Sequence, residues 1–501
     1  MGNLLREQAR GRPHFTAVSD GEHLYSFAEL DDRVNRLASV LRARGVGKGD
    51  RILWLGQNSF RVFEVLLAGA RLGAIVCPAN WRASAHEVAQ TLDDFDPKAV
   101  FWQDAEIGAL NREARKNWRP GSNWICHDGC DEGDNYEALM AEADPAANFE
   151  PVPPSAPLLA IYTAGFSGRP AAALLSHESL LIVAWLSMFA QKIDENTSYL
   201  VSGPMFHVGV LMGALGTLMA GGRCLFVARV DAEDMLKRIA REKLTHAYIA
   251  PPTIEQMRRI NADGKYDVSR LFSDPQMSEY QMPLVMPRDA PMLRSINGYG
   301  QTEIGGLVVM SFWGGQAAGR ASPFLEIKIG DEAGNELPPG STGEIFARGP
   351  LVMCGYWNRP EENARRVVDG WHRTHDLGKR LPDGSLVFVG PKTTMIKSGV
   401  ENIYPAEVEA CLRQHEGVAD VCVIGVPDPT WAQSVKAIIV RKPGANHSAQ
   451  DFIEHCRERI ASYKKPKLVE FADSLPLNAA GQVDRAAVDA AYGGGGYPSI
   501  S

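Results

Sequence analysis

Leu30, Val34, Leu37, Ala38 and Leu41 recur at helical spacing after Tyr25-Ser26-Phe27, which predicts an amphipathic helix with Ser26 as its N-cap. Gly45, Gly47 and Gly49 close it, and the apolar run 52–55 then reads as a strand. A second helix over 60–72 and a strand over 74–78 follow. Farther on, helices are expected at 179–191, 211–220 and 232–243, with strands at 158–162, 224–227 and 246–250. Strands alternating with helices imply a parallel, doubly wound α/β layer. The more polar stretch 80–154 ends in the proline-rich PVPPSAP and reads as a linker or crossover, while 270–292 fits no clean periodicity.

Beyond residue 320 the pattern changes. Turn signals at Asp331-Glu332-Ala333-Gly334-Asn335 and Pro338-Pro339-Gly340, with a strand over 343–348, predict a small β-rich subdomain covering 320–390. Pro391 to Thr394, flanked by Gly390, is hinge-like. Residues 395–501 then carry helices at 406–414 and 449–460 and strands at 421–426 and 434–441, the size and content of a small α/β domain. The expected organisation is a large N-terminal domain (1–390), a hinge (391–394) and a small mobile C-terminal domain (395–501).

A length of 501 residues agrees with more than one core, and 45% hydrophobic with 22% charged residues is ordinary for a globular protein. The net charge of −8 argues against a broad nucleic-acid surface. Eight scattered cysteines suggest reduced, structural thiols; Cys126-His127-Asp128-Gly129-Cys130 has the look of a metal clip but no second ligand pair at zinc-site spacing. No signal-like start and no apolar run of the ~18 residues needed for a span predict a cytoplasmic protein without stable membrane insertion. Whether it forms a homodimer is open.

Candidate chemistry concentrates in short segments. Tyr162 to His177 (YTAGFSGRPAAALLSH) places Gly165 and Gly168 among small and hydroxylated residues between a buried strand and a helix starting near Ser176. Such a loop can bring backbone N–H groups to phosphate oxygens, although the same composition also serves ordinary turns. Asn297-Gly298-Tyr299-Gly300-Gln301-Thr302-Glu303 is a glycine-bracketed turn that sets a hydroxyl beside a carboxylate. Phosphate transfer needs both, one for an oxygen and one for Mg²⁺. His207 ends an apolar strand beside glycines, a place where a histidine is more often a hydrogen-bonded core residue than a catalytic one.

Together these segments resemble the adenylate-forming superfamily, which includes acyl-CoA synthetases, aryl acid ligases, peptide-synthetase adenylation domains and beetle luciferases. The first loop follows its YTSGTTGRPKG pattern, the second its metal and adenine motif, and Gly370-Trp371-His372-Arg373-Thr374-His375-Asp376-Leu377-Gly378 its GWxxTGDLG. The resemblance implies a nucleotide site made of Thr163, Ala164, Gly165, Ser167, Gly168, Arg169, Gly298, Tyr299, Gly300 and Asp376, the last clasping the ribose hydroxyls. It implies Thr302 at the α-phosphate, Mg²⁺ held by Glu303 with Thr163, and His207 bordering the carboxylate pocket. Lys397, Ser398, Gly399 and Glu401 match the start of the mobile domain, and Lys464 its YKxP run associated with coenzyme A. ATP/AMP, Mg²⁺, coenzyme A and an apolar carboxylic acid are therefore the expected cofactors and partners, in an AMP-forming acid–CoA ligase. Trp185, Phe189, His207, Val208, Gly209, Met212, Gly305 and Gly306 are the expected walls of the acid pocket.

The chain departs from that pattern at several places. The loop lysine and the glycine after it are Ala171 and Ala172, a turn glycine is His375, the arginine after the hinge glycine is Pro391, the hinge aspartate falls on Thr393 or Thr394, and the C-terminal lysine is Gln482. The glycine-rich run that most members lay against adenine is missing from 270–292. Lys392, Arg169 and the neutral donor Gln482 are the expected stand-ins. Such losses keep two other readings open: an acyl transferase of the same fold that makes an amide, and a binding protein without catalysis.

Overall fold

Ser26 starts the first long helix, Phe27–Ala43, through a capping box: its hydroxyl accepts from Glu29 N, and the Glu29 carboxylate accepts from Ser26 N. The stripe Leu30, Val34, Leu37, Ala38 and Leu41 is buried, as its spacing predicts. The computed structural model describes residues 1–116, 118, 123–130, 134–145, 148–163, 170–273, 277, 280, 282–294, 298–310, 319–392, 394–399, 401–478 and 482–495.

Two largely parallel sheets form the α/β layers of the large domain. The first has the order Asp134–Asn135, Asn123–Cys126, Ala99–Trp102, Arg51–Leu55, Ile75–Pro78, Pro157–Thr163 and Ala171–Ser176, parallel except for the final pair. Much of it comes from the stretch expected to be a linker, which also folds the helix Ala85–Phe95. That helix buries only Val88, Leu92 and Phe95, and Ala99–Trp102 is four residues long, so neither rises above the polar background of the sequence. The second sheet centres on Ser198–Val201 between His246–Tyr248 and Arg223–Phe226, all parallel. The helices His177–Gln191 and Val208–Ala220 pack against each other in the main core, the second being apolar on nearly all sides and buried there.

The β-rich subdomain is observed: Glu326–Gly330, Thr342–Arg348, Val367–Val368, Trp371–Arg380 and Leu386–Pro391 form one antiparallel sheet. The C-terminal sheet joins Glu401–Ile403, Ile396–Ser398, Ala432–Arg441, Val418–Asp428 and Leu468–Ala472, with helices Pro405–Leu412 and Ala449–Arg459 closing its core. One expectation about thiols is corrected, because Cys126 and Cys130, four positions apart, are joined by a disulfide, leaving Cys77, Cys224, Cys354, Cys411, Cys422 and Cys456 free. Among the described residues no helix is long and apolar enough to cross a membrane.

Candidate active site

Strand Pro157–Thr163 ends at Thr163, and the chain returns as Ala171–Ser176 with Ala171 opposite Thr163. Ala164, Gly165, Ser167, Gly168 and Arg169 lie outside the described residues. A separate hairpin, Gly298–Gln301 with Gly306–Met310, brings Glu303 to the same place through the turn Thr302–Ile304. That hairpin requires Gly300, since a Cβ there would sit 1.7 Å from Gly306 O. Glu303 is 4% exposed, and its Oε1 accepts from Thr163 Oγ1 at 2.9 Å and from the Tyr356 phenol at 2.8 Å. Segments 140 positions apart in sequence thus meet at one carboxylate. Tyr356 was not singled out by sequence, although it sits in the Gly355-Tyr356-Trp357 run. With Oε1 taken by two hydroxyl donors, Oε2 of this buried carboxylate is the oxygen suited to a hard divalent cation.

Asp376 faces the same cleft from strand Trp371–Arg380. Its Oδ2 accepts from Tyr299 Oη at 2.9 Å and Gln301 Nε2 at 2.8 Å. Burial pushes its carboxyl up to about 6, against the opposing pull of those two donors. Tyr299, 8% exposed, stacks on Phe388 with ring centroids 5.3 Å apart. Its phenol is pushed well above the usual tyrosine value, first by burial and then by the Asp376 charge. His375, in place of the family's turn glycine, adopts φ +58. The turn is held by Glu344, which accepts from His375 N at 3.2 Å, and by Lys392 N, which donates to His375 O at 2.8 Å.

The small domain contributes Lys397, Glu401, Asn402 and Tyr404 to the opposite wall. Glu401 forms an ion pair with Arg82 of the large domain and lies 3.4 Å from His207 Nε2. Burial alone would raise the Glu401 carboxyl, but His207 and Arg82 outweigh it and hold it near about 2. Lys397 Nζ donates to Asn402 Oδ1 at 2.8 Å, and burial keeps its ammonium below the usual lysine range. Lys464, 7% exposed, lies between Glu407 of its own domain (2.6 Å) and Glu87 of the large one (3.0 Å). Ser398 and Gly399 form the turn beneath, where Gly399 N donates to Trp431 O at 2.8 Å.

Other expected residues fall outside this cleft. Gln482 is exposed and does not line it, and its nearest partner is Asn478. Lys392 turns its Nζ toward Glu344 at 3.3 Å and away from the cleft wall. Trp185 and Phe189, each 46% exposed, stack on one another on the outer side of their helix and do not line the cleft. Of the expected pocket walls, His207, Val208, Gly209 and Gly306 do line it, together with Phe206 and Leu307.

Residues 5–357 match the AMP-binding enzyme family, and residues 407–482 match the AMP-binding enzyme C-terminal domain. The chain is 35% identical over 490 residues to an indoleacetate–CoA ligase of Aromatoleum aromaticum, covering 94% of each chain. It is 33% identical over 507 residues to a feruloyl-CoA synthase of an Amycolatopsis species, covering 98% of this chain and 99% of the other. A double mutant of the o-succinylbenzoate CoA synthetase of Bacillus subtilis, solved with a product analogue, superposes with a TM-score of 0.79 at 26% identity over 97% of each chain. The two domain matches and the full-length relatives lead to one assignment: this chain belongs to the family of AMP-binding enzymes.

Proposed function

We propose that the chain is an AMP-forming carboxylic acid–CoA ligase that takes a ring-bearing acid. The observation that carries it is the Thr163–Glu303–Tyr356 cluster sharing one cleft with the Tyr299–Gln301–Asp376 cluster. Relatives named for indoleacetate and ferulate, together with the Phe206, Val208 and Leu307 walls, support an aryl or ring-bearing acid over a short one. In this reading Asp376 accepts both ribose hydroxyls, Thr302 donates to the α-phosphate and Glu303 with Thr163 would hold Mg²⁺. The metal, when bound, neutralises charge on the phosphates. His207 borders the carboxylate. The hinge at 391–394 lets the small domain turn, and the face now toward the cleft, carrying Lys397 and Glu401, serves thioester formation with coenzyme A. ATP and coenzyme A as co-substrates favour a cytoplasmic place, and the charge of −8 favours no nucleic-acid partner.

Purified protein with ATP, Mg²⁺ and a panel of indolic, cinnamic, benzoic and aliphatic acids tests the assignment. Pyrophosphate release that requires an acid, and a thioester that requires coenzyme A, are expected, with the ring-bearing acids favoured. A second reading, amide formation by the same fold, is favoured by one observation: Ala171 and Gln482 leave both family lysine positions uncharged. Product from a supplied acyl-CoA and an amine, without ATP use, would replace the first reading by the second.

A further inference from the structure

Among the described residues, Arg359 is the one lysine or arginine that the large domain contributes to the cleft wall. It precedes helix Pro360–Arg366, at the end of a segment that runs antiparallel beside strand Ala171–Ser176. Leu174 N donates to Gly355 O at 3.0 Å, Ala173 bridges Tyr356, and Trp357 N donates to Ala172 O at 2.8 Å. Continuing that register sets Arg359 beside Pro170, where the glycine-rich loop rejoins the strand, and Arg359 Nη2 donates to Pro170 O at 3.4 Å. Nη1 donates to Asp94 Oδ1 at 2.7 Å and to Asn358 O at 3.1 Å. Asp94 is itself fixed, since its Oδ2 accepts from the Tyr162 phenol at 2.7 Å and its carbonyl from Trp357 Nε1 at 3.0 Å. Three residues before Arg359, Tyr356 donates to Glu303, so one short segment serves both the metal carboxylate and the exit of the loop.

We infer that Arg359 binds the β- and γ-phosphates of ATP, supplying from a neighbouring segment the cation that Ala171 lacks. A guanidinium suits the task, because its planar fork matches phosphate oxygens and its proton is never lost. This rests on the ligase reading for its chemistry. In that step a carboxylate oxygen bonds to the α-phosphorus, the bond from that phosphorus to the β-bridging oxygen breaks, and the electron pair departs with pyrophosphate. Arg359 donates hydrogen bonds to the departing group, and no proton moves. Asp94 keeps the guanidinium at the loop exit.

Titration of Arg359→Ala with ATP and, separately, with AMP reads the inference directly, because AMP has neither distal phosphate. The Kd for ATP rises tenfold or more while that for AMP stays within twofold, and acid-dependent ATP–pyrophosphate exchange falls ~10²–10³-fold. Thioester formation from a supplied acyl adenylate is retained. The A171K/R359A double variant, with a lysine returned at the strand start, regains ATP affinity over R359A. ATP affinity within threefold of the parent overturns the inference, as do equal losses for ATP and AMP, or a double variant no tighter than R359A. Absence of acid-dependent exchange in the parent would sink the ligase reading and leave the two nucleotide titrations to decide Arg359.

Discussion

Asp376→Asn separates what this carboxylate does for ATP from what it costs the fold. Its pKa stands at about 6 against an ordinary 3.8, which corresponds to about 3 kcal/mol of preference for the neutral form. Both described side-chain donors, Tyr299 and Gln301, meet the same oxygen, Oδ2, so an amide oxygen placed there accepts both while carrying no charge. A carboxyl raised in the native state binds more protons folded than unfolded between these two values, so the parent loses stability as pH climbs from 3.8 through 6. The variant escapes that loss. Urea unfolding followed by tryptophan fluorescence should show it more stable than the parent by about 1–3 kcal/mol at pH 8, with the advantage shrinking below pH 6 and gone near pH 4. ATP use moves the other way: replacing a charged acceptor of two ribose hydroxyls by a neutral one costs about 0.5–1.5 kcal/mol per bond, roughly 5- to 150-fold in KM for ATP. A variant that is less stable at pH 8, or whose stability difference is flat across pH 4–8, refutes the account of Asp376 as a strained acceptor kept for its ligand.

Glu303→Gln keeps an acceptor for Thr163 and Tyr356 but removes the charge proposed to hold the metal; acid-dependent pyrophosphate release should fall ~10²-fold or more with melting temperature shifted by less than about 3 °C, checked by pyrophosphate assay and thermal melt. Glu401→Gln loses the ion pair to Arg82; thioester formation from a supplied acyl adenylate should drop at least tenfold while ATP–pyrophosphate exchange changes less than threefold, and equal effects on both half-reactions would count against the domain-turning scheme. Because the Glu401 carboxyl is held down at about 2, that ion pair is fully present above pH 4.5 and is lost only as pH falls toward 2, so it adds no pH dependence near neutrality. His375→Gly relieves a left-handed backbone at φ +58 and should leave stability unchanged or raise it by up to about 1 kcal/mol, as measured by urea unfolding.

Where a local rule carries the information, the sequence was legible. The Ser26 N-cap, the β/α alternation, the β-rich subdomain after residue 320 and the turn around Thr302 and Glu303 each depend on residues within a few positions of one another. Tyr356 reaching Glu303, Arg82 reaching Glu401 and Glu87 reaching Lys464 span 53, 319 and 377 positions, and no periodicity encodes such meetings. Trp185 and Phe189 looked like pocket walls because the helix carrying them is apolar throughout; which side it turns outward is settled by packing against helix Val208–Ala220, which its own spacing does not reveal. Lys392 was adjacent in sequence to a missing arginine, yet the buried carboxylate of Glu344 claims it. The disulfide of Cys126 and Cys130 has no signature beyond a spacing that suits several chemistries.

Lys464 sits with one carboxylate from each side of the interdomain seam, and Glu407, its nearer partner, is itself almost wholly buried, with a carboxyl raised by burial despite the lysine beside it. If the small domain turns as proposed, Glu87 leaves the cluster and that position goes to water and dissolved ions. In that scheme ionic strength is a lever on how long the cleft stays shut: added salt favours the open form by solvating the parted charges, and turnover limited by reopening should quicken as salt rises until nucleotide binding weakens in its turn.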